Sequence, residues 1–144
     1  KRLTIFGFWE LPGSTHLHLA AEARLVGRFA RLIAAESGKD KNPVDGFDFT
    51  PLHDAADNGC REIVDMIVAS VSDRCPRDAI VQRTPLHFAA LQGHTQVVES
   101  LLAVVAEKNP EDGFGHIRCD ELALEDACRL ICEHNGKFKV HFLG

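Results

Sequence analysis

The chain has 144 residues, of which 45% are hydrophobic and 26% charged, the composition of a soluble globular protein and the length of one domain. Lys and Arg number 16 against 21 Asp and Glu, a formal net charge of −5. That balance argues against a nucleic-acid partner, whose phosphates need a basic footprint, and no run reaches the roughly 18 apolar residues of a membrane span.

In chain order, residues 1–12 come first, with Leu3, Ile5, Phe6, Phe8 and Trp9 apolar. The stretch is too short for the h-region of a signal peptide, and it reads as a flank or the end of a preceding unit. The sequence starts without Met, Met66 being its single methionine. It is therefore expected to be part of a longer protein, with functions that can lie elsewhere, for example as the targeting segment of an enzyme or channel. Cys60, Cys75, Cys119, Cys128 and Cys132 are odd in number and widely spaced, which points to a reducing, cytoplasmic setting that leaves the nucleus open.

From residue 15 the chain repeats itself. Thr15-His16-Leu17-His18-Leu19-Ala20-Ala21 returns as Thr50-Pro51-Leu52-His53-Asp54-Ala55-Ala56 and again as Thr84-Pro85-Leu86-His87-Phe88-Ala89-Ala90, at intervals of 35 and 34 residues. Nine residues after each Thr stand Arg24, Gly59 and Gly93. Further on come the apolar pairs Phe29 with Leu32-Ile33, Ile63-Val64 with Ile67-Val68, and Val97-Val98 with Leu101-Leu102. Pro43-Val44-Asp45, Pro76-Arg77-Asp78 and Pro110-Glu111-Asp112 mark the joins.

Each position has a physical reading. A Thr hydroxyl suits a helix N-cap, and Pro51 and Pro85 then fall at the first helical position, where no N–H is required. Paired alanines let neighbouring helices approach closely. Gly59 and Gly93 tolerate the left-handed backbone that ends a helix. The apolar pairs define an amphipathic second helix, and the Pro-x-Asp segments stop it. Asp45-Gly46 and Asp112-Gly113 are turn dipeptides.

Thr-Pro-Leu-His-x-Ala-Ala followed by Gly-His and Val-Val-x-x-Leu-Leu resembles the ankyrin repeat, strongly over residues 13–107 and most closely over Thr84–Leu102. The resemblance implies an all-α solenoid of stacked helix-turn-helix units with hairpin-like loops. The units are expected at 13–48 (irregular, because His16 replaces Pro, Arg24-Leu25 replaces Gly-His and Arg28 replaces an apolar residue), 49–82 and 83–117. At 118–144 the motif is lost, since Arg118 stands where a fourth Thr is due. Ala127-Cys128 and Ile131-Cys132 keep the spacing of a second helix, so a shortened fourth unit or helical cap is expected there.

Other constellations yield to plainer readings. His18, His53 and His87 repeat in phase along the stack instead of converging, so each is expected to bond its own Thr and adjoining backbone rather than a metal. Cys128 and Cys132 with His134 have i,i+4 spacing, which suits a core face better than a zinc pair. Residues 40–51 lack the Gly and Glu of a calcium loop. No motif of phosphate binding, dinucleotide binding or hydrolysis is present. No cofactor, metal or catalytic residue is expected.

What the resemblance implies about function is a protein partner, bound on the concave face by the loop before each Thr and the end of each first helix. Carried onto this sequence, those positions are Pro12, Ser14, Phe47, Phe49, Val81 and Arg83 in the loops, with Glu22, Ala23, Asp57, Asn58, Leu91 and Gln92 on the helices. Phe47, Phe49, Val81 and Leu91 are expected to form an apolar centre inside a polar rim.

Overall fold

The computed structural model describes residues 13–36, 40–74, 76–80, 82–104, 117–120 and 140–143. Helices pair within each unit: α1 (His16–Glu22) with α2 (Val26–Ala35), α3 (Pro51–Asn58) with α4 (Arg61–Val68), and α5 (Pro85–Leu91) with α6 (Thr95–Val104). The first helices are short, and each is fixed at its start by a capping box. Thr15 and Thr50 accept the backbone N–H three residues on, and the ring of His18, His53 or His87 reaches back to the N–H of its own Thr. Asn42 adds a cap from outside the helix, its Oδ1 accepting the Leu52 N–H at 3.1 Å.

Each first helix ends in a left-handed residue at the ninth position after Thr. Gly59 and Gly93 adopt φ of 71° and 74°, and Arg24 adopts 58° despite its Cβ. A second left-handed position recurs two residues before each Thr, at Gly13 (79°), Asp48 (59°) and Gln82 (58°). Gly59 has an additional constraint: a Cβ there would come within 2.6 Å of His94 Nδ1.

Helix α3 packs between α1 and α5, and α4 packs between α2 and α6, making two layers with one hydrophobic core between them. The alanine pairs at 20–21, 55–56 and 89–90 are buried where the first helices meet, as side chains of that size require for close approach. On the second helices, Phe29 and Ile33, Val64 and Val68, and Val98 and Leu102 are buried in all three units. The row one residue earlier behaves differently. Ile63, Ile67, Val97 and Leu101 are fully buried, whereas Arg28 is exposed and Leu32 half-buried.

Residues 16–104 meet the all-α expectation among the described residues, but the chain beyond them does not. Strand β1 (Ile117–Asp120) pairs in parallel with β2 (Val140–Leu143), Ile117 opposite Val140, and β1 lies against α5. It stands where the first helix of a shortened fourth unit was expected. Without Thr-Pro to cap and start a helix at 117–118, extended pairing wins. Ala127–Cys132, proposed as that unit's second helix, falls outside the described residues, as do residues 1–12.

The left-handed positions give a direct stability test. Gln82→Gly removes the steric conflict at φ 58° and is expected to raise stability by about 0.5–1 kcal/mol after the entropy of glycine in the unfolded chain is counted. Gly59→Ala is expected to lower it by more than that, because it adds both the left-handed strain and the His94 clash. Urea denaturation of the two variants reads both signs.

Candidate interaction surface

The loops between units are built on two aspartates. Asp45, buried in the first loop, accepts the N–H groups of Phe47 (2.9 Å) and Phe49 (3.1 Å) on one carboxylate oxygen, and its own N–H donates to the Phe49 carbonyl. Asp78 repeats the arrangement with the Ile80 N–H at 2.8 Å on Oδ1 and the Arg83 N–H at 3.0 Å on Oδ2, while its N–H donates to the Arg83 carbonyl. Each is an Asx turn closing a finger. The Ala79 N–H donates to the Phe47 carbonyl at 3.0 Å, so the two fingers lie side by side.

The second finger is one residue longer between its Asp and its Thr. Counting back from Thr therefore misassigns the tip. Counting forward from Asp, Phe47 and Ile80 are equivalent, and their N–H groups bond the equivalent carboxylate oxygens. Both tips are exposed, Phe47 at 40% and Ile80 at 63%. Ile80 was missed in the sequence, and the Pro-x-Asp landmark was the signal that could have found it. Val81, chosen instead, lies outside the described residues.

Phe49 is a correction. It is 5% exposed, with its ring edge-on to His53 (5.6 Å between centroids) and Phe88 (5.8 Å). Backbone alternation explains the difference from Phe47: residues two apart in an extended finger share a face, but the left-handed Asp48 between them turns Phe49 inward.

The fingers are tied to the helices through histidine. His18 Nε2 donates to the Phe49 carbonyl at 2.8 Å and His53 Nε2 to the Arg83 carbonyl at 3.0 Å. A carbonyl can only accept, so Nε2 carries the proton in both rings, and Nδ1 is free to accept the Thr N–H at 3.1 Å. The expectation that these histidines bond their own Thr and nearby backbone is borne out.

Such a repeat (capped first helix, left-handed stop, amphipathic second helix, Asp-closed finger, histidine tie to the next finger) is now visible twice over in full. Residues 52–102 match the family model for ankyrin repeats, many copies. No curated protein matches the chain. The match runs from Leu52, in the first turn of α3, to Leu102 in α6, the stretch in which the motif departs least.

The remaining site residues are spread over the three units. Asp57 and Asn58 at the end of α3 are half-buried. Asp57 Oδ1 accepts from Gln92 Nε2 at 3.0 Å, its carbonyl accepts from His94 Nε2 at 2.9 Å, and Asn58 Nδ2 donates back to the Asp54 carbonyl. The first two bonds tie the end of α3 to the turn after α5; the third lies within α3. Leu91 and Ser14 are half-buried, Gln92, Glu22 and Ala23 are exposed, and Arg83 is half-buried with its backbone engaged at both ends. Pro12 lies outside the described residues. Within the described residues no group of three His, Cys, Asp or Glu side chains converges on one point; Cys128, Cys132 and His134 are not among them.

The two phenylalanines separate packing from exposure. Phe49→Ala is expected to cost about 3–5 kcal/mol of unfolding free energy, and Phe47→Ala no more than about 0.5 kcal/mol. Equal losses for the pair in denaturant titrations would contradict the assignment.

Proposed function

We propose that this segment is a non-catalytic interaction module whose protein partner lies across the fingertips and the exposed ends of the first helices. Ankyrin repeats generally mediate protein–protein interaction, and successive units here hold equivalent surface positions in register. The observation that carries the reading is the juxtaposition of Phe47 and Ile80. Two large apolar side chains stand in solvent on adjacent fingers, joined by the Ala79–Phe47 backbone bond. Exposed apolar side chains held on a rigid frame lose little conformational entropy on binding, which favours them as anchors.

The solenoid described by the resemblance supplies the geometry for this. Units that differ at their tips but share a core vary what is recognised without altering the fold. Phe47 and Ile80 would form the apolar centre, with Val81 beside Ile80 in sequence and Phe49 withdrawn into the core. Asp57, Asn58, Arg83, Gln92, Ser14 and Glu22 would supply the polar surroundings, with Leu91 at the edge. No helix among the described residues is long and apolar enough to cross a membrane.

A double variant, Phe47→Ala with Ile80→Ala, tests the reading. Proteins captured on the immobilised wild-type chain are expected to drop by about tenfold or more on the variant, while its melting temperature stays within a degree or two of wild type. Arg61→Ala, on the far helix layer, is the matched control. Capture unchanged in the double variant but lost in the control would place binding on the other face.

A further inference from the structure

The hydrogen bonds of the two fingers constrain what form of protein can dock on them, an inference that rests on the fingertip reading. An extended segment joins a protein by pairing its backbone with free N–H and C=O groups along an edge. The fingers use theirs internally. The N–H groups of Phe47, Asp48 and Phe49 all donate to Asp45, the Phe47 carbonyl accepts from Ala79, and the Phe49 carbonyl accepts from Asp45 and His18. In the second finger the N–H groups of Ala79, Ile80 and Arg83 all donate, and the Gln82 carbonyl accepts from Arg77 Nη1 at 2.9 Å. A strand laid along the fingers would meet no run of unpaired backbone groups among the described residues.

The side chains are arranged in the opposite way. Gly46, Phe47 and Asp48 are exposed together on the first finger, and Ala79 and Ile80 on the second. Phe47 and Ile80 therefore stand on projections, held beside each other by the Ala79–Phe47 bond. A projecting apolar side chain is desolvated only where the other molecule brings a cavity to receive it. A short linear peptide has no interior from which to build one; a folded domain has.

Charge adds a second condition. The exposed carboxylate of Asp48 lies next to Phe47 and has no hydrogen bond or ion pair among the described residues. Its counterpart on the second finger, Gln82, is neutral. The complement of the first tip is thus an apolar pocket with a cation at its edge.

We infer that the partner docks as a folded domain and not as an extended strand. Its surface carries an apolar pocket for Phe47 and Ile80, with a Lys or Arg side chain on the rim opposite Asp48.

The test starts from a protein captured by the immobilised whole chain and not by its Phe47→Ala, Ile80→Ala variant. That protein is purified in folded form and also synthesised as a set of short overlapping peptides. The folded protein is expected to bind the wild-type chain about tenfold or more tighter than the double variant, and tighter than any of the peptides does. Asp48→Asn is expected to weaken binding about two- to tenfold and to reduce its salt dependence. Its melting curve should be unchanged, because Asn also tolerates the left-handed backbone. A peptide that binds as tightly as the folded protein would overturn the inference and leave the fingertip reading standing, as would indifference of affinity and salt dependence to Asp48→Asn. Capture that is the same on both immobilised chains would overturn the fingertip reading and this inference with it.

Discussion

A neutral imidazole has one nitrogen that accepts and one that donates, and at His18 and His53 both are used in opposite directions. Nδ1 takes the N–H of the Thr that starts the helix, and Nε2 gives its proton to the carbonyl just before the Thr of the next unit. One ring thereby closes a local cap and fixes where the following finger begins. A buried polar group left without such partners would be destabilising by about 1–3 kcal/mol, so the ring can be buried only if the neighbouring unit is in place. The helix stack and the alignment of the fingers are consequences of the same bond.

The rest of the scaffold shows how far local sequence dictated it. Thr, Pro, the alanine pair and the apolar rows on α4 and α6 each match their structural role because each role has a narrow chemical solution. The two left-handed positions per unit were half legible. Glycine announces itself at 59 and 93, but Arg24, Asp48 and Gln82 occupy the same backbone conformation without glycine's signature. There the surrounding bonds impose the conformation on a residue that does not favour it. Equivalence by position in the repeat was the better guide than residue type.

The candidate surface was legible in outline and misread in detail. The loops were found, yet register counted back from Thr put Val81 opposite Phe47, because the extra residue of the second finger lies between Asp78 and Thr84. The carboxylate of Asp78 sets the true register by holding the Ile80 N–H. Phe49 has the same residue type as Phe47 two positions earlier, and only the left-handed turn at Asp48 sends it to His53 and Phe88. At the far end, Val140-His141-Phe142-Leu143 pairs with Ile117–Asp120 across a separation that no local pattern encodes, so the helical cap expected to begin near 118 starts as a strand, while the helix expected from cysteine spacing at Ala127–Cys132 lies outside the described residues.

Nitrogen-15 NMR of the imidazole rings at neutral pH reads the central interaction directly. His18 and His53 are predicted to show the shifts of a fixed Nε2–H tautomer with slowly exchanging ring protons, both alike. Rings that interconvert between tautomers, or that exchange as fast as the exposed His16, would contradict the account.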